Sequence, residues 1–171
     1  MNNIVLGNII SFIGAIFLFG SCIVKTKKRV HFFQLLQCAV FTVSQLVFGR
    51  GAGAVSMSVA GVRNLLICFD LYGRAAMLIL VSVTAFLGFY FNSAGIVGLL
   101  PVAAGIFYSV VSYSAKSIRT LKAGLAVLLL VWTVYSALIF DIFGMISNAT
   151  ALVLNLVTFH RSIKKKEREG V

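Results

Sequence analysis

Long apolar runs alternate with short polar breaks along the whole chain. Apolar residues dominate seven segments, which cover approximately 3–24, 32–49, 52–69, 74–91, 94–114, 121–140 and 142–160. Several of these segments reach roughly 20 residues, the length that a helix needs to cross the hydrocarbon core of a bilayer. The pattern predicts an all-α integral membrane protein with seven transmembrane helices.

The sequence also matches itself when it is shifted by 91 residues. Over positions 2–70 this ungapped alignment contains 13 identities. They include the loop lysines Lys25 and Lys116 and the asparagines Asn64 and Asn155. Many transporters are built from duplicated membrane units of this kind, with the substrate site at the interface between the repeats.

The repeat divides the chain into four parts. A first three-helix unit covers 1–70, a linker helix covers 71–92, a second three-helix unit covers 93–161, and a basic cytoplasmic tail covers 162–171. Because each unit has an odd number of helices, the linker helix lets both units begin on the same side of the membrane. The sequence therefore predicts two parallel repeats in a 3-1-3 arrangement, related by an axis along the membrane normal.

Composition and charge agree with a membrane bundle. Hydrophobic residues make up 60% of the 171 residues and charged residues 11%, whereas a soluble domain carries about 25% charged residues. The net charge is +11, but the basic residues stand in short blocks between apolar segments, and no nucleic-acid-binding module accompanies them. With seven spans, 14 of the 15 Lys and Arg residues fall on one side and only Arg50 on the other. The positive-inside rule then places the N-terminus outside and the C-terminus in the cytoplasm.

Uncharged polar side chains inside the apolar segments indicate where a site could lie. One face of the seventh segment carries a stripe of small and polar residues that includes Asn148 and Asn155. Asn64 is the repeat mate of Asn155, so the repeat would bring both amides to equivalent positions around a central cavity. Such a pair can donate to and accept from a polar solute. Hydrogen bonding between helices, worth about 0.6 kcal/mol per bond, explains the same residues equally well.

Two further residues interrupt the apolar segments. Arg63 lies well inside the third segment, and two interpretations are open: its side chain reaches the cytoplasmic interface, or it attracts an anion at the inner mouth. Pro101 removes a backbone hydrogen bond from the fifth helix and is either a gating hinge or a fixed kink. The chain has no paired carboxylates, phosphate loop or metal-ligand spacing, so we expect no enzyme activity, metal or cofactor.

Two runs of residues resemble the bacterial inner-membrane protein family called YgjV: Gly53 to Asn64, and Ser147 to Asn155 with the following His160-Arg161. The resemblance implies a location in the bacterial inner membrane. The predicted layout is also similar to that of SWEET sugar facilitators, their half-size bacterial relatives and PQ-loop transporters. In SWEET-like proteins an asparagine on the third helix of each unit contacts the sugar, and Asn64 and Asn155 match that position.

The chain departs from the SWEET-like pattern at its prolines and its pocket aromatic residue. Only Pro101 matches the prolines of that superfamily, and no Pro-Gln dipeptide occurs. The residues nearest to the pocket tryptophan are Phe48 and Phe140.

The sequence thus favours a small-solute transporter that works by alternating access. The candidate substrate-binding residues are Asn64, Asn155, Asn148, Phe48, Phe140 and Arg63. The expected partners are the lipid bilayer and a small polar solute, with no nucleic acid, and a homo-oligomer is compatible with the sequence. The alternative is a non-transporting accessory or scaffold protein whose asparagines hold the bundle together.

Overall fold

Seven α-helices form the regular structure of the protein. A computed structural model describes the backbone of residues 2–168 and the side chains of residues 3–160. The helices are α1 (Asn2–Ile23), α2 (Lys27–Val47), α3 (Gly51–Cys68), α4 (Arg74–Tyr90), α5 (Gly95–Ser114), α6 (Ile118–Leu138) and α7 (Ile142–Arg168). No strand occurs within the described backbone. The side chains of the basic tail predicted at 162–171 lie outside the described residues.

Six of these helices are long and apolar enough to cross a membrane. They are α1, α2, α3, α5, α6 and the Ile142–His160 part of α7, with mean hydropathies from 1.3 to 2.1. α4 has 17 residues, a length of about 26 Å, which falls slightly short of the roughly 30 Å hydrocarbon core. The prediction of an all-helical, polytopic membrane protein is therefore confirmed, with six helices rather than seven of full spanning length.

The polar residues lie inside the bundle and large apolar residues cover its outside. His31, Asn64 and Asn155 are fully buried, whereas Phe86 is 72% exposed and Ile96 85%. A lipid environment explains this distribution, because hydrocarbon solvates apolar side chains but offers no hydrogen bonds. Polar side chains must therefore find their partners within the protein.

The helices form a closed ring of six, and α4 packs on its outer side. Around the ring α1 packs on α2, α2 on α3, α3 on α5, α5 on α6, α6 on α7, and α7 on α1. α4 contacts α3 and α5 and buries only Leu80, Thr84 and Gly88. The inward faces of the six ring helices consequently meet at one centre.

The helix boundaries recur at the interval found in the sequence. Separations of 91 residues relate the ends of α1 and α5, the starts of α2 and α6, the ends of α2 and α6, and the starts of α3 and α7. The turns that follow α2 and α6 also correspond, because Gly49 and Phe140 have positive φ values of 69° and 60°. A phenylalanine rarely adopts this conformation. The turn after α6 therefore has the same backbone shape as the turn after α2, although Phe140 stands in place of the glycine.

Glycines on α1 allow α2 to approach closely. A Cβ atom at Gly7 would lie 2.8 Å from the ring of Phe48, and one at Gly14 would lie 2.6 Å from the ring of Phe41. Both distances are shorter than carbon atoms tolerate, so the small residues of α1 are required for packing against α2.

Candidate functional site

A small cavity lies at the centre of the helix ring. Its volume is about 30 Å³, and residues from all six ring helices line it. This volume is enough for roughly two water molecules. The polar and aromatic part of the lining consists of Gln34, Gln37, Ser56, Arg63, Asn64, Trp132 and Asn148.

Arg63 lies in the wall of this cavity and is buried. Its side chain is 2% exposed. Nη1 donates to Ser109 Oγ at 3.3 Å and Nη2 donates to Asn64 Oδ1, also at 3.3 Å. The guanidinium carbon lies 4.8 Å from the centre of the Tyr108 ring, within the range of a cation–π interaction. The side chain therefore turns into the bundle toward α5 and does not extend to the nearer end of α3.

Asn64 connects Arg63 to α2. His31 Nδ1 lies 3.0 Å from Asn64 Oδ1, and because a carbonyl oxygen only accepts, this imidazole nitrogen carries the proton. The amide nitrogen of Asn64 donates to Cys38 Sγ at 3.6 Å. The oxygen of Asn64 thus accepts from two buried donors, one on α2 and one on α3.

A second link joins α2 to α5. Gln34 Nε2 donates to Tyr108 Oη at 3.1 Å. Together these contacts form a continuous polar network, which we call the Arg63 network and define as His31, Gln34, Arg63, Asn64, Tyr108 and Ser109. The sequence indicated Arg63 and Asn64. It did not indicate His31, whose side chain is fully buried.

Several buried polar atoms around the cavity have no hydrogen-bond partner. Among the lining residues they are Arg63 Nε, Gln34 Oε1 and Ser56 Oγ. Folded proteins satisfy nearly all such groups. The cavity wall therefore presents donors and acceptors that the protein itself does not use.

Asn155 is placed differently from its repeat mate. Its amide nitrogen donates to the backbone oxygen of Lys122 at 2.7 Å, and the ammonium of Lys122 donates to Cys22 O at 2.9 Å and Thr158 Oγ1 at 2.8 Å. Asn155 does not belong to the described lining of the central cavity, whereas Asn64 does. Lys122 lies 91 residues after His31. Asn155 donates to the backbone oxygen of Lys122, whereas Asn64 accepts from the side chain of His31.

The other candidate residues fall in three places. Asn148 lines the central cavity. Phe48 and Phe140 do not, and instead they border a separate depression of about 280 Å³ at one end of the bundle, together with Arg50.

Trp132 supplies the aromatic wall of the central cavity. Pro101 is buried inside α5 and does not belong to the cavity lining.

Asp141 forms a second buried polar group at the start of α7. Its Oδ1 accepts from the backbone N–H of Gly144 at 2.8 Å, and its Oδ2 accepts from Ser11 Oγ at 3.2 Å. Burial raises the pKa of this carboxyl group above its ordinary value, although these two hydrogen bonds act in the opposite direction. Among the described residues, no cluster of three His, Cys, Asp or Glu side chains could hold a metal ion.

The raised pKa of Asp141 predicts a pH-dependent stability. The folded protein binds this proton more tightly than the unfolded chain, so the stabilising contribution is complete at low pH and is lost as the pH rises through the raised pKa. An asparagine in its place would keep the cap of α7, because Asn and Asp are similar N-caps, but it would not ionise. We expect Asp141→Asn to gain stability relative to the wild type between pH 4 and pH 8. Unfolding midpoints measured across this range test the expectation, and a constant difference between the two proteins would contradict it.

A ring of apolar helices around a buried polar network defines a polytopic membrane protein with a polar interior. Over residues 5–166 the chain matches the family Imp-YgjV, described as bacterial inner membrane protein, and it belongs to that family. The resemblance seen in the sequence is thereby confirmed, and the protein is a multi-pass protein of the bacterial inner membrane. No curated protein and no solved structure matches the chain.

Proposed function

We propose that the protein is a small-solute transporter in which α1–α3 and α5–α7 move against each other around the central cavity. The observation that carries this proposal is the position of the cavity, whose lining comes from three helices of each half. A polar cavity between two repeats is the usual place of a transport site.

The contacts of the ring support two parallel units in the 3-1-3 arrangement. Under the repeat, α1 corresponds to α5 and α3 corresponds to α7. Two interfaces join the halves, α1 with α7 and α3 with α5. A twofold relation that carries α1 onto α5 and α7 onto α3 would superpose one interface on the other. α4 lies outside the ring, and its 17 residues reach the lower limit of about 17 for a spanning helix, which suits the role of a linker span.

The charge asymmetry supports an outer N-terminus and a cytoplasmic C-terminus. This orientation predicts that Ser93 lies on the outer side of the inner membrane and that Thr26 and Ser117 are cytoplasmic. Each is exposed and accepts a cysteine in a background without the three native cysteines. In intact cells we expect an impermeant thiol reagent to label the cysteine at position 93 only, and labelling at position 26 or 117 would refute the orientation.

Alternating access predicts that the cavity opens to each side of the membrane in turn. Ser56 lines the cavity, so a cysteine at this position should react with a charged methanethiosulfonate in right-side-out vesicles and also in inside-out vesicles. Ser44 is the matched control, because it is fully buried and donates to Gly7 O on α1 at 3.0 Å, outside the cavity. We expect Ser44→Cys to remain unreactive in both preparations.

The outcomes separate the transporter from the alternative. A scaffold protein with a permanently closed centre predicts no reaction at Ser56→Cys from either side. Reaction from one side only would indicate a fixed vestibule. Either result would overturn alternating access, and neither requires the solute to be known.

A further inference from the structure

Arg63 carries a buried charge that no acidic side chain within residues 3–160 balances. The structure describes two acidic side chains, Asp70 and Asp141. Asp70 pairs with Lys28 at 2.6 Å. Asp141 lies at the end of the bundle where α7 begins, next to the end of α2, and Arg63 lies about 18 Å along α3 from that end. A buried cation without a counter-charge is strongly unfavourable in a membrane protein.

The contacts that Arg63 does make are all neutral. Ser109 Oγ and Asn64 Oδ1 each accept one hydrogen bond from the guanidinium, and the Tyr108 ring lies against it. These contacts hold the group in one orientation, but they leave its net charge in place and Nε without a partner. The fork of N–H groups on a guanidinium suits planar oxyanions in particular.

The rest of the cavity also favours an anion over a cation. Ser56 lies two turns before Arg63 on the same face of α3, and its buried hydroxyl has no partner and can donate. Gln37 and Asn148 add amides to the lining, and no carboxylate of the described side chains contributes to it. A cavity of about 30 Å³ accommodates a particle no larger than roughly two water molecules.

We propose that the central cavity binds a small monovalent anion, of the size of a halide, formate or nitrate, against the guanidinium of Arg63. One cation in the wall balances one negative charge, and the cavity volume excludes larger anions in this conformation. The role of this anion as the transported solute rests on the transporter proposed above, whereas its binding does not.

Thermal unfolding of the purified full-length protein in detergent tests the binding. Sodium chloride, formate and nitrate are titrated against sodium gluconate at equal ionic strength, since gluconate is too large for the cavity. We expect at least one of the three anions to raise the unfolding temperature of the wild type in a saturable manner. Arg63→Gln should abolish this response and Arg63→Lys should retain part of it.

Lys122→Gln is the matched control. Lys122 is a buried cation of the second unit, but its ammonium is bonded to Cys22 O and Thr158 Oγ1 and lies outside the cavity, so the anion response should survive. If Arg63→Gln does not fold, Ser56→Ala replaces it, with an expected loss of anion affinity of roughly tenfold. The proposal is overturned if none of the anions acts beyond gluconate, or if the folded Arg63→Gln or its replacement responds as the wild type does.

Flux into proteoliposomes separates this inference from the proposed function. The wild type is tested for uptake of radiolabelled chloride or formate. Uptake that is lower in Arg63→Gln, or in its replacement, would support both the anion site and the proposed transport. A saturable rise in unfolding temperature with an anion, but without flux of that anion, would support the binding site. It would contradict the role of the anion as the transported solute. Reactivity of Ser56→Cys from both sides without any anion response would overturn the anion site and leave alternating access in place.

Discussion

Replacing Asn64 with leucine is expected to destabilise the protein more than the same change at either other asparagine of the candidate site. The oxygen of Asn64 accepts from His31 Nδ1 and from Arg63 Nη2, and all three side chains are almost completely buried. Leucine has a similar volume but strands both donors, and each stranded donor costs about 1–3 kcal/mol. We expect a loss of about 2–6 kcal/mol in the free energy of unfolding, measured by denaturant titration in detergent micelles.

The two other asparagines provide graded controls. Asn155→Leu removes one bond, to the backbone oxygen of Lys122, and should cost about 1 kcal/mol. Asn148 is 3% exposed and lines the cavity without a side-chain hydrogen bond of the kind that Asn64 makes, so Asn148→Leu should change stability least. Equal losses for Asn64→Leu and Asn148→Leu would show that the Arg63 network does not stabilise the bundle.

Gly53→Ala is expected to have the second large effect, although it adds only one carbon atom. A Cβ at Gly53 would lie 2.8 Å from Tyr135 Oη and closer still to Gln45 Oε1. Those two atoms form a hydrogen bond of 3.1 Å between α6 and α2, which the new methyl group would push apart. Overpacking of this kind costs about 1–3 kcal/mol, so the unfolding temperature should fall despite the better helix propensity of alanine.

Gly61→Ala on the same helix is the matched control. A Cβ at Gly61 would meet only Cys38 Cβ at 3.6 Å, an ordinary contact, so this substitution should stabilise the protein by up to about 1 kcal/mol. The two variants differ only in what surrounds the added carbon. A gain in stability for both would mean that α3 can shift away from Gln45 and Tyr135, and that close packing at Gly53 is not required.

Some of the closest approaches in the bundle involve glycines that the repeat conserves within the chain. Gly53 and Gly144 are separated by 91 residues. Each lets a polar side chain lie close to the helix backbone: Gln45 packs on Gly53, and Asp141 packs on Gly144. The sequence comparison identified these glycines as matching positions. The comparison could not identify the side chains that approach these glycines, because those side chains do not match each other at the 91-residue offset. The residue that matches Gln45 is Ser136, whereas the residue that approaches Gly144 is Asp141.

The helices could be predicted from the sequence because the signals for them are local. The length of an apolar run and the polar residues that interrupt it determine where a membrane helix begins and ends. The predicted seventh segment, 142–160, accordingly begins at the observed start of α7, Ile142. An ungapped match of the chain with itself needs no knowledge of contacts at all, and it anticipated helix boundaries that recur at the same interval.

The partners of the polar side chains could not be predicted in this way, because they depend on how each helix is rotated about its axis and on which helix lies opposite. Arg63 and His31 both lie within two turns of a helix end, close enough for a side chain to reach the interface. They are buried because α5 and α3 present Ser109 and Asn64 at hydrogen-bonding distance.

Asn64 and Asn155 illustrate the same limit, since they match at the 91-residue offset in the sequence but have different neighbours in the structure. His31 faces the first asparagine with a side-chain nitrogen, whereas Lys122 faces the second with its backbone oxygen. The pattern of apolar and polar residues therefore specifies which helices form and where they end. Packing between helices that are distant in the chain specifies which polar groups share the cavity, because hydrogen bonds inside a bundle are formed between side chains that no local pattern relates.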